Sequence, residues 1–206
     1  HLARLDGLDA DLLQGLGAQV AMCLENTELL ERVRRETQLA TGLSRYLPPG
    51  VVARIGDGTL HPNLGGELAE GTVLFTDIVG FTTLSERLPP TDVVTRLNRY
   101  FEALLDVLFA WSGTVDKFGG DAMVAVWGAP VPEDEPARLA TAAALEMQGR
   151  LFELNEVLER AGETRLGMAA GLSSGRFVAG NIGGAARLEW TVIGDTVNLA
   201  KRIESR

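Results

Sequence analysis

Four consecutive residues, Thr72-Val73-Leu74-Phe75, are β-branched, aliphatic or aromatic and lack the spacing of a helix. That run predicts a short buried strand ending at the carboxylate of Asp77. Gly80 then allows a tight turn, and residues 82–87 read as a short helix whose first turn carries free N–H groups. Upstream, Leu12, Leu13, Leu16, Val20, Leu24, Leu30 and Val33 recur at helical intervals between charged residues, which predicts an amphipathic helix from Leu12 to about Arg35. Thr27 and Arg34 fall near its seam, so a long coiled coil and a helix packed on a neighbour are equal readings. Tyr46-Leu47-Pro48-Pro49-Gly50 breaks that helix, and residues 51–55 form one further turn before a Gly-rich connector through Gly66.

Downstream, Pro90-Thr91-Asp92 opens a pattern of Val93, Val94, Leu97, Tyr100, Phe101, Leu104, Leu105 and Leu108, spaced for a helix ending near Gly113. Residues 114–118 and 122–127 are two β-prone runs around Gly119-Gly120-Asp121, whose glycines permit a tight hairpin with Asp121 at its tip. A helix rich in Ala, Leu and Glu is predicted over residues 136–161. Residues 166–172 and 177–182 read as two strands joined by a turn at Ser173-Ser174-Gly175. Residues 190–193 add a strand, and residues 195–206 a helix carrying Asn198 and Arg202 on one face. The order strand, helix, strand, strand, helix, strand predicts an α+β fold: a ferredoxin-like βαββαβ sheet, antiparallel, with helices packed on one face. A further strand and helix extend it, and the N-terminal amphipathic helix precedes it.

Composition narrows the chemistry. The 206 residues are 46% hydrophobic, enough for one sizeable domain and an appendage. The formal net charge of -9 opposes a nucleic-acid polymer or an anionic membrane surface as partner, while a metal-neutralised mononucleotide stays compatible. Cys23 is the sole cysteine and His1 and His61 the sole imidazoles, so a metal site would use oxygen ligands and a hard ion such as magnesium. No apolar run reaches about 18 residues and no signal peptide opens the chain, so the sequence reads as soluble and cytoplasmic. It begins at His1 without an initiator Met, which is expected of a piece of a longer protein, and membrane attachment elsewhere stays open.

If Asp77 ends the first strand and Asp121 tips the neighbouring hairpin, the topology can bring both carboxylates to one rim. Such a pair can hold divalent ions that neutralise charge during phosphoryl displacement. A carboxylate ligand beside a helix start suits a metal-bound polyphosphate. A lone Asp more often caps a helix, and a kinase, phosphatase, polymerase or receiver-like phosphoacceptor each places an Asp after a strand.

Three segments in order, FTDIVGFT, KFGGDAMVAVWG and WTVIGDTVNLAKR, resemble the catalytic domain of class III adenylyl and guanylyl cyclases over roughly residues 45–206. The resemblance implies that Asp77 and Asp121 hold two magnesium or manganese ions (Mg2+ or Mn2+), with calcium (Ca2+) as an alternative at one position and the Ile78 carbonyl assisting. It implies that backbone donors of Gly80, Phe81 and Thr82 contact the phosphates. From the opposite subunit of a homodimer, Lys117 and Thr191 would read the purine, and Asn198 and Arg202 would position the ribose and stabilise the transition state. The chemistry agrees: Lys117 donates to a ring nitrogen, and Thr191 can accept from the exocyclic amine of adenine, although a hydroxyl can also rotate to donate. Arg202 offers a planar fork of donors for phosphate oxygens. The Lys with Thr combination is similar to the adenylyl cyclases of the IIIb subclass, and implies conversion of ATP to 3′,5′-cyclic AMP and pyrophosphate. Arg187 stands where IIIb relatives carry an Arg linked to phosphate contact and bicarbonate stimulation.

Residues 1–44, ending in CLENTELLERVRRE, are similar to the last helix of a GAF-type sensor domain and the signalling linker beyond it. Class III domains continue past the Arg202 helix into a final strand pair bearing a basic residue, so residues 45–206 are expected to be an incomplete catalytic domain. Two rivals remain beside the adenylate cyclase reading: a guanylate cyclase, and a catalytically silent module that dimerises or binds nucleotide. Gly119-Gly120-Asp121 also resembles the hairpin of diguanylate cyclases, but Ala122-Met123 lacks the acidic and aromatic residues expected there.

Overall fold

A computed structural model describes residues 65–184 and 187–206, and Gly58 besides. The expected N-terminal helix, the break at residues 46–50 and the turn at residues 51–55 lie outside the described residues. The described elements run in the order β1 (Gly65–Ile78), α1 (Phe81–Arg87), α2 (Pro90–Ala110), β2 (Thr114–Gly119), β3 (Ala122–Trp127), α3 (Pro136–Arg160), β4 (Met168–Gly184), β5 (Arg187–Ile193) and α4 (Asp195–Glu204). The five strands form one sheet in the order β2-β3-β1-β4-β5, with every neighbouring pair antiparallel. This is the expected ferredoxin-like arrangement with β5 and α4 added.

Alternation along β1 divides the sheet into two packed faces. Leu74 and Ile78 join Tyr100, Leu104 and Leu108 of α2 and Met147 and Leu151 of α3 in the larger core. Val73 and the half-buried Phe75 turn the other way, to a second cluster with Val124, Phe177, Trp190, Val192 and Ala200 of α4. Each such aliphatic or aromatic side chain removed from water contributes about 1.5–3 kcal/mol. By the same alternation Asp77 falls on the α4 face. Pro90 and Pro136 stand at the first helical positions of α2 and α3, where a missing N–H costs nothing.

Two elements are longer than the residue pattern predicts. Strand β1 begins at Gly65 rather than near Thr72, because Gly65 and Gly66 pair with Asn181 and Gly180 of β4. A Cβ at Gly180 would collide with the backbone of Gly65 and Gly66, so Gly180 is what lets the strands approach, and Gly65 and Gly66 lie in the strand and not in a connector. The expected turn at Ser173-Ser174-Gly175 is a correction: β4 runs unbroken through it, with Ser173, Ser174 and Gly175 opposite Val73, Thr72 and Gly71. The serines are tied into the sheet, Thr72 Oγ1 and Ser174 Oγ lying 2.8 Å apart. Gly175 has φ 153°, and a Cβ there would meet Thr196 Oγ1 at 2.9 Å. The glycine therefore admits the start of α4, where Thr196 Oγ1 donates to the Arg176 carbonyl at 2.8 Å.

The end of β1 is anchored from outside the sheet. The Asn155 side chain of α3 donates to the Leu166 carbonyl at 2.8 Å and accepts from the Leu166 amide at 2.7 Å. That clamp fixes the approach to β4, where Gly167 accepts from the Val79 amide at 3.0 Å, one residue beyond Ile78. Among the described residues no helix is long and apolar enough to cross a membrane.

Candidate active site

Both expected acids gather at one end of the sheet. In the β1–β3 ladder Thr76 pairs with Met123, so the next position, Asp77, comes opposite Ala122 and beside the Asp121 turn. Burial pushes the Asp77 carboxyl up to about 6, and the adjoining Asp121 carboxyl pushes the same way, outweighing the pull of Lys201 and the Ile78 amide. A second carboxylate beside Asp77 makes ionisation of Asp77 harder, a cost that a nearby cation would lower. Among the described residues no third His, Cys, Asp or Glu joins them, so an ion held here would have to rely on these two carboxylates and on backbone oxygen. Lys201 Nζ supplies a weak counter-charge, 3.9 Å from Asp77 Oδ2 and 2.8 Å from Glu204 Oε2. Gly80 adopts φ 70° and accepts from the Leu84 amide at 3.1 Å, opening α1 directly after the acid. The amides of Phe81 and Thr82 thus belong to a first helical turn, where N–H groups lack intrahelical partners.

Lys117 and Thr191 lie on β2 and β5, the opposite edges of the sheet, yet both line one cavity of about 630 Å³. Its walls include Phe75, Asp116, Val124 and Glu189, and the row Phe75–Val124–Lys117 crosses three paired strands. Lys117 Nζ donates to Glu189 Oε1 at 3.0 Å, which shows how far the sheet coils to bring its edges together. That ammonium holds the exposed Glu189 carboxyl below its usual range. The Thr191 hydroxyl donates to Asp116 Oδ2 at 3.1 Å. Arg187 lines the same cavity.

Asn198 and Arg202 are exposed, one helical turn apart on α4. Neither side chain has a hydrogen-bond or ion-pair partner among the described residues. The α4 side chain that reaches Asp77 in the same subunit is Lys201, not Arg202.

Residues 67–206 match the family model described as the adenylate and guanylate cyclase catalytic domain. The chain belongs to this family. Adenylate cyclase 1 of Rhizobium meliloti (strain 1021) is 37% identical over 162 residues, 77% of this chain and 24% of that protein. The guanylyl cyclase Cya2 is similar at 41% identity and a TM-score of 0.66, over 69% of this chain and 72% of that one. The adenylyl cyclase CyaB from P. aeruginosa is similar at 33% identity and a TM-score of 0.66, over 69% and 74%. The chain spans about a quarter of the length of the curated relatives it matches. It is a class III cyclase catalytic domain with adenylyl and guanylyl neighbours.

Three residues of this cyclase domain stand out in the structure and not in the sequence pattern: Lys201, Glu189 and Asp116. Lys201 and Glu189 look like ordinary surface charges in sequence, and their partners come from other elements. Asp116 carried a usable signal, a carboxylate inside a β-prone run immediately before Lys117. Its side chain is 2% exposed, and burial pushes the carboxyl up to about 6 against the pull of Lys117 and the Thr191 hydroxyl. Between 3.8, its ordinary value, and about 6 the folded domain keeps a proton that the unfolded chain has lost. Stability from this group is therefore full below about 4 and is lost as pH rises through about 6. The variant Asp116→Asn escapes that loss. Relative to the parent it should gain about 2 kcal/mol between pH 4 and pH 7.5, read by denaturant unfolding at the two pH values. An unchanged difference between variant and parent at the two pH values would show that Asp116 titrates normally.

Proposed function

We propose that the domain converts ATP to 3′,5′-cyclic AMP and pyrophosphate, as an adenylate cyclase, with two active sites at a homodimer interface. The observation that carries this reading is the cavity that Lys117 and Thr191, from opposite edges of the sheet, line together. A donor and an acceptor for a purine edge stand together there, and the acid pair at the end of β1, suited to a metal-bound triphosphate, would serve the cavity of the partner subunit. In this reading Asp77, Asp121 and the Ile78 carbonyl hold two magnesium or manganese ions, or calcium at one position. When bound, the ions supply positive charge against the phosphates and lower the pKa of the attacking hydroxyl.

The chain's own groups do the rest. Gly80, Phe81 and Thr82 present backbone donors to the phosphates, and Asn198 orients the ribose so that its 3′-hydroxyl faces the α-phosphorus in line. Arg202 stabilises charge that builds on the phosphoryl oxygens. Asn198 and Arg202 are exposed and unpaired among the described residues, which supports their serving the acids of a second subunit. Arg187, at the cavity wall, is the candidate for phosphate contact and for bicarbonate regulation. Residues 1–44 would connect an upstream sensor domain to a cytoplasmic catalytic pair.

The similarity to Cya2 supports a second reading, a guanylate cyclase. Product analysis with ATP and GTP separates the two, and a silent module yields neither product. The full-length protein should form cyclic AMP from ATP. Changing Lys117 to Glu together with Thr191 to Cys should cut kcat/KM for ATP by about 100-fold and favour GTP, since a mismatched buried edge leaves polar groups unpaired. Unaltered ATP use by that double variant would mean the base is read elsewhere.

A further inference from the structure

We propose that Asp116 is a positioning residue that commits the Thr191 hydroxyl to act as an acceptor, and so sets adenine over guanine; this deepens the ATP reading and rests on it. A hydroxyl carries one proton and two lone pairs, so an unconstrained Thr can serve either purine. Adenine presents an exocyclic amine donor where guanine presents a carbonyl acceptor. Lysine and threonine alone therefore discriminate weakly, and whatever fixes the threonine proton decides the contest.

The structure fixes it. Thr191 Oγ1 donates to Asp116 Oδ2 at 3.1 Å, and an ionised carboxylate only accepts. The proton is thereby spent inside the subunit, and Thr191 turns lone pairs alone to the cavity. Thr191 is 7% exposed and the Asp116 side chain 2%, so little water competes for that proton. Asp116 Oδ1 is buried without a hydrogen-bond partner, which leaves the carboxylate with unspent accepting capacity. Although burial raises its pKa to about 6, Asp116 is mostly ionised at pH 7.5.

The backbone is built for this arrangement. In a regular strand consecutive side chains point to opposite faces. The β2–β3 register shifts between Val115, opposite Ala125, and Lys117, opposite Val124, which leaves Asp116 as the extra residue of a bulge. A bulge re-aims a side chain, and here Asp116 and Lys117 both line the cavity. One irregularity thus places the donor for the ring nitrogen and the group that orients its companion acceptor. Asp116 also lies 4.0 Å from Lys117 Nζ, so the rival role is a simple counter-charge for the lysine.

The test uses the full-length protein, with kcat/KM for ATP and GTP and with dissociation constants for the α,β-methylene analogues of both nucleotides, which report base choice without turnover. Asp116→Asn, whose amide can donate as well as accept, should lower the adenine-to-guanine preference by about tenfold, through weaker adenine and stronger guanine binding. Asp116→Ala, which removes the acceptor, carries the same expectation, so failure of one variant to fold does not spare the proposal. In a Thr191→Val background the Asp116→Asn change should have no further effect on the preference, whereas a counter-charge acting through Lys117 would still alter it and overturn the proposal. Equal losses for both nucleotides, or an unchanged preference, would also overturn it while leaving an adenine-preferring parent and the ATP reading intact. A parent protein with no preference for adenine in either measurement would overturn both.

Discussion

Replacing Asp77 with Asn is expected to lower the turnover of the full-length protein by on the order of 10³-fold or more at saturating magnesium or manganese. Asp77 and Asp121 crowd one another at the end of β1, and burial plus that neighbour raise the Asp77 carboxyl to about 6. In the proposed metal-binding role a divalent cation would relieve the repulsion within the pair, and an Asn in either place would remove a full negative charge from the donor set. Asp121→Asn should behave the same way. The fold should not suffer, since Asp77→Asn removes a carboxylate whose ionisation the folded state resists. Loss of turnover and of manganese affinity, measured by calorimetry, should therefore accompany an unchanged or raised melting temperature. A variant with near-normal rate at saturating metal would remove Asp77 from the metal-binding role.

Why some of this was legible in the sequence and some was not follows from where the constraint lies. Asp77 and Asp121 were readable because each follows or tips a β-prone run, and the β1–β3 register then brings them to one rim. The βαββαβ order was readable from period alone. The Ser173-Ser174-Gly175 segment misled because its composition favours turns, whereas the deciding factor is tertiary: α4 approaches so closely that Gly175 has no room for a Cβ. Gly65 and Gly66 misled because they lie in the strand itself, paired with Asn181 and Gly180 of β4, where Gly180 leaves room for their backbone. The meeting of Lys117 with Thr191 depends on coiling of the sheet that joins its two edges, and no local pattern encodes that. Asp116 escaped notice because alternation assigns it to the face opposite Lys117, and only the bulge overrides the alternation.

The second large effect concerns assembly. Asn198 and Arg202 leave the surface of α4 without partners among the described residues, while Lys201 takes the position beside Asp77 within the subunit. The reading that follows is that the acids of one subunit work with the Asn and Arg of the other, in a symmetric homodimer with two equivalent sites. Asp77→Ala and Arg202→Ala should each be nearly inactive alone, because each lesion then damages both sites of its own homodimer. In a heterodimer of the two variants one site collects both lesions and the other collects none.

Mixing the two full-length variants is accordingly the most direct measurement of the central claim, because it tests the chemistry, the residue roles and the assembly together. With native mass spectrometry giving the heterodimer fraction, activity should return toward half that of the parent dimer multiplied by that fraction, or about a quarter of parent activity when subunits exchange at random. Heterodimers demonstrated in that way, with cyclic AMP formation no higher than that of either variant alone, would contradict the shared site and place all of its residues within one chain.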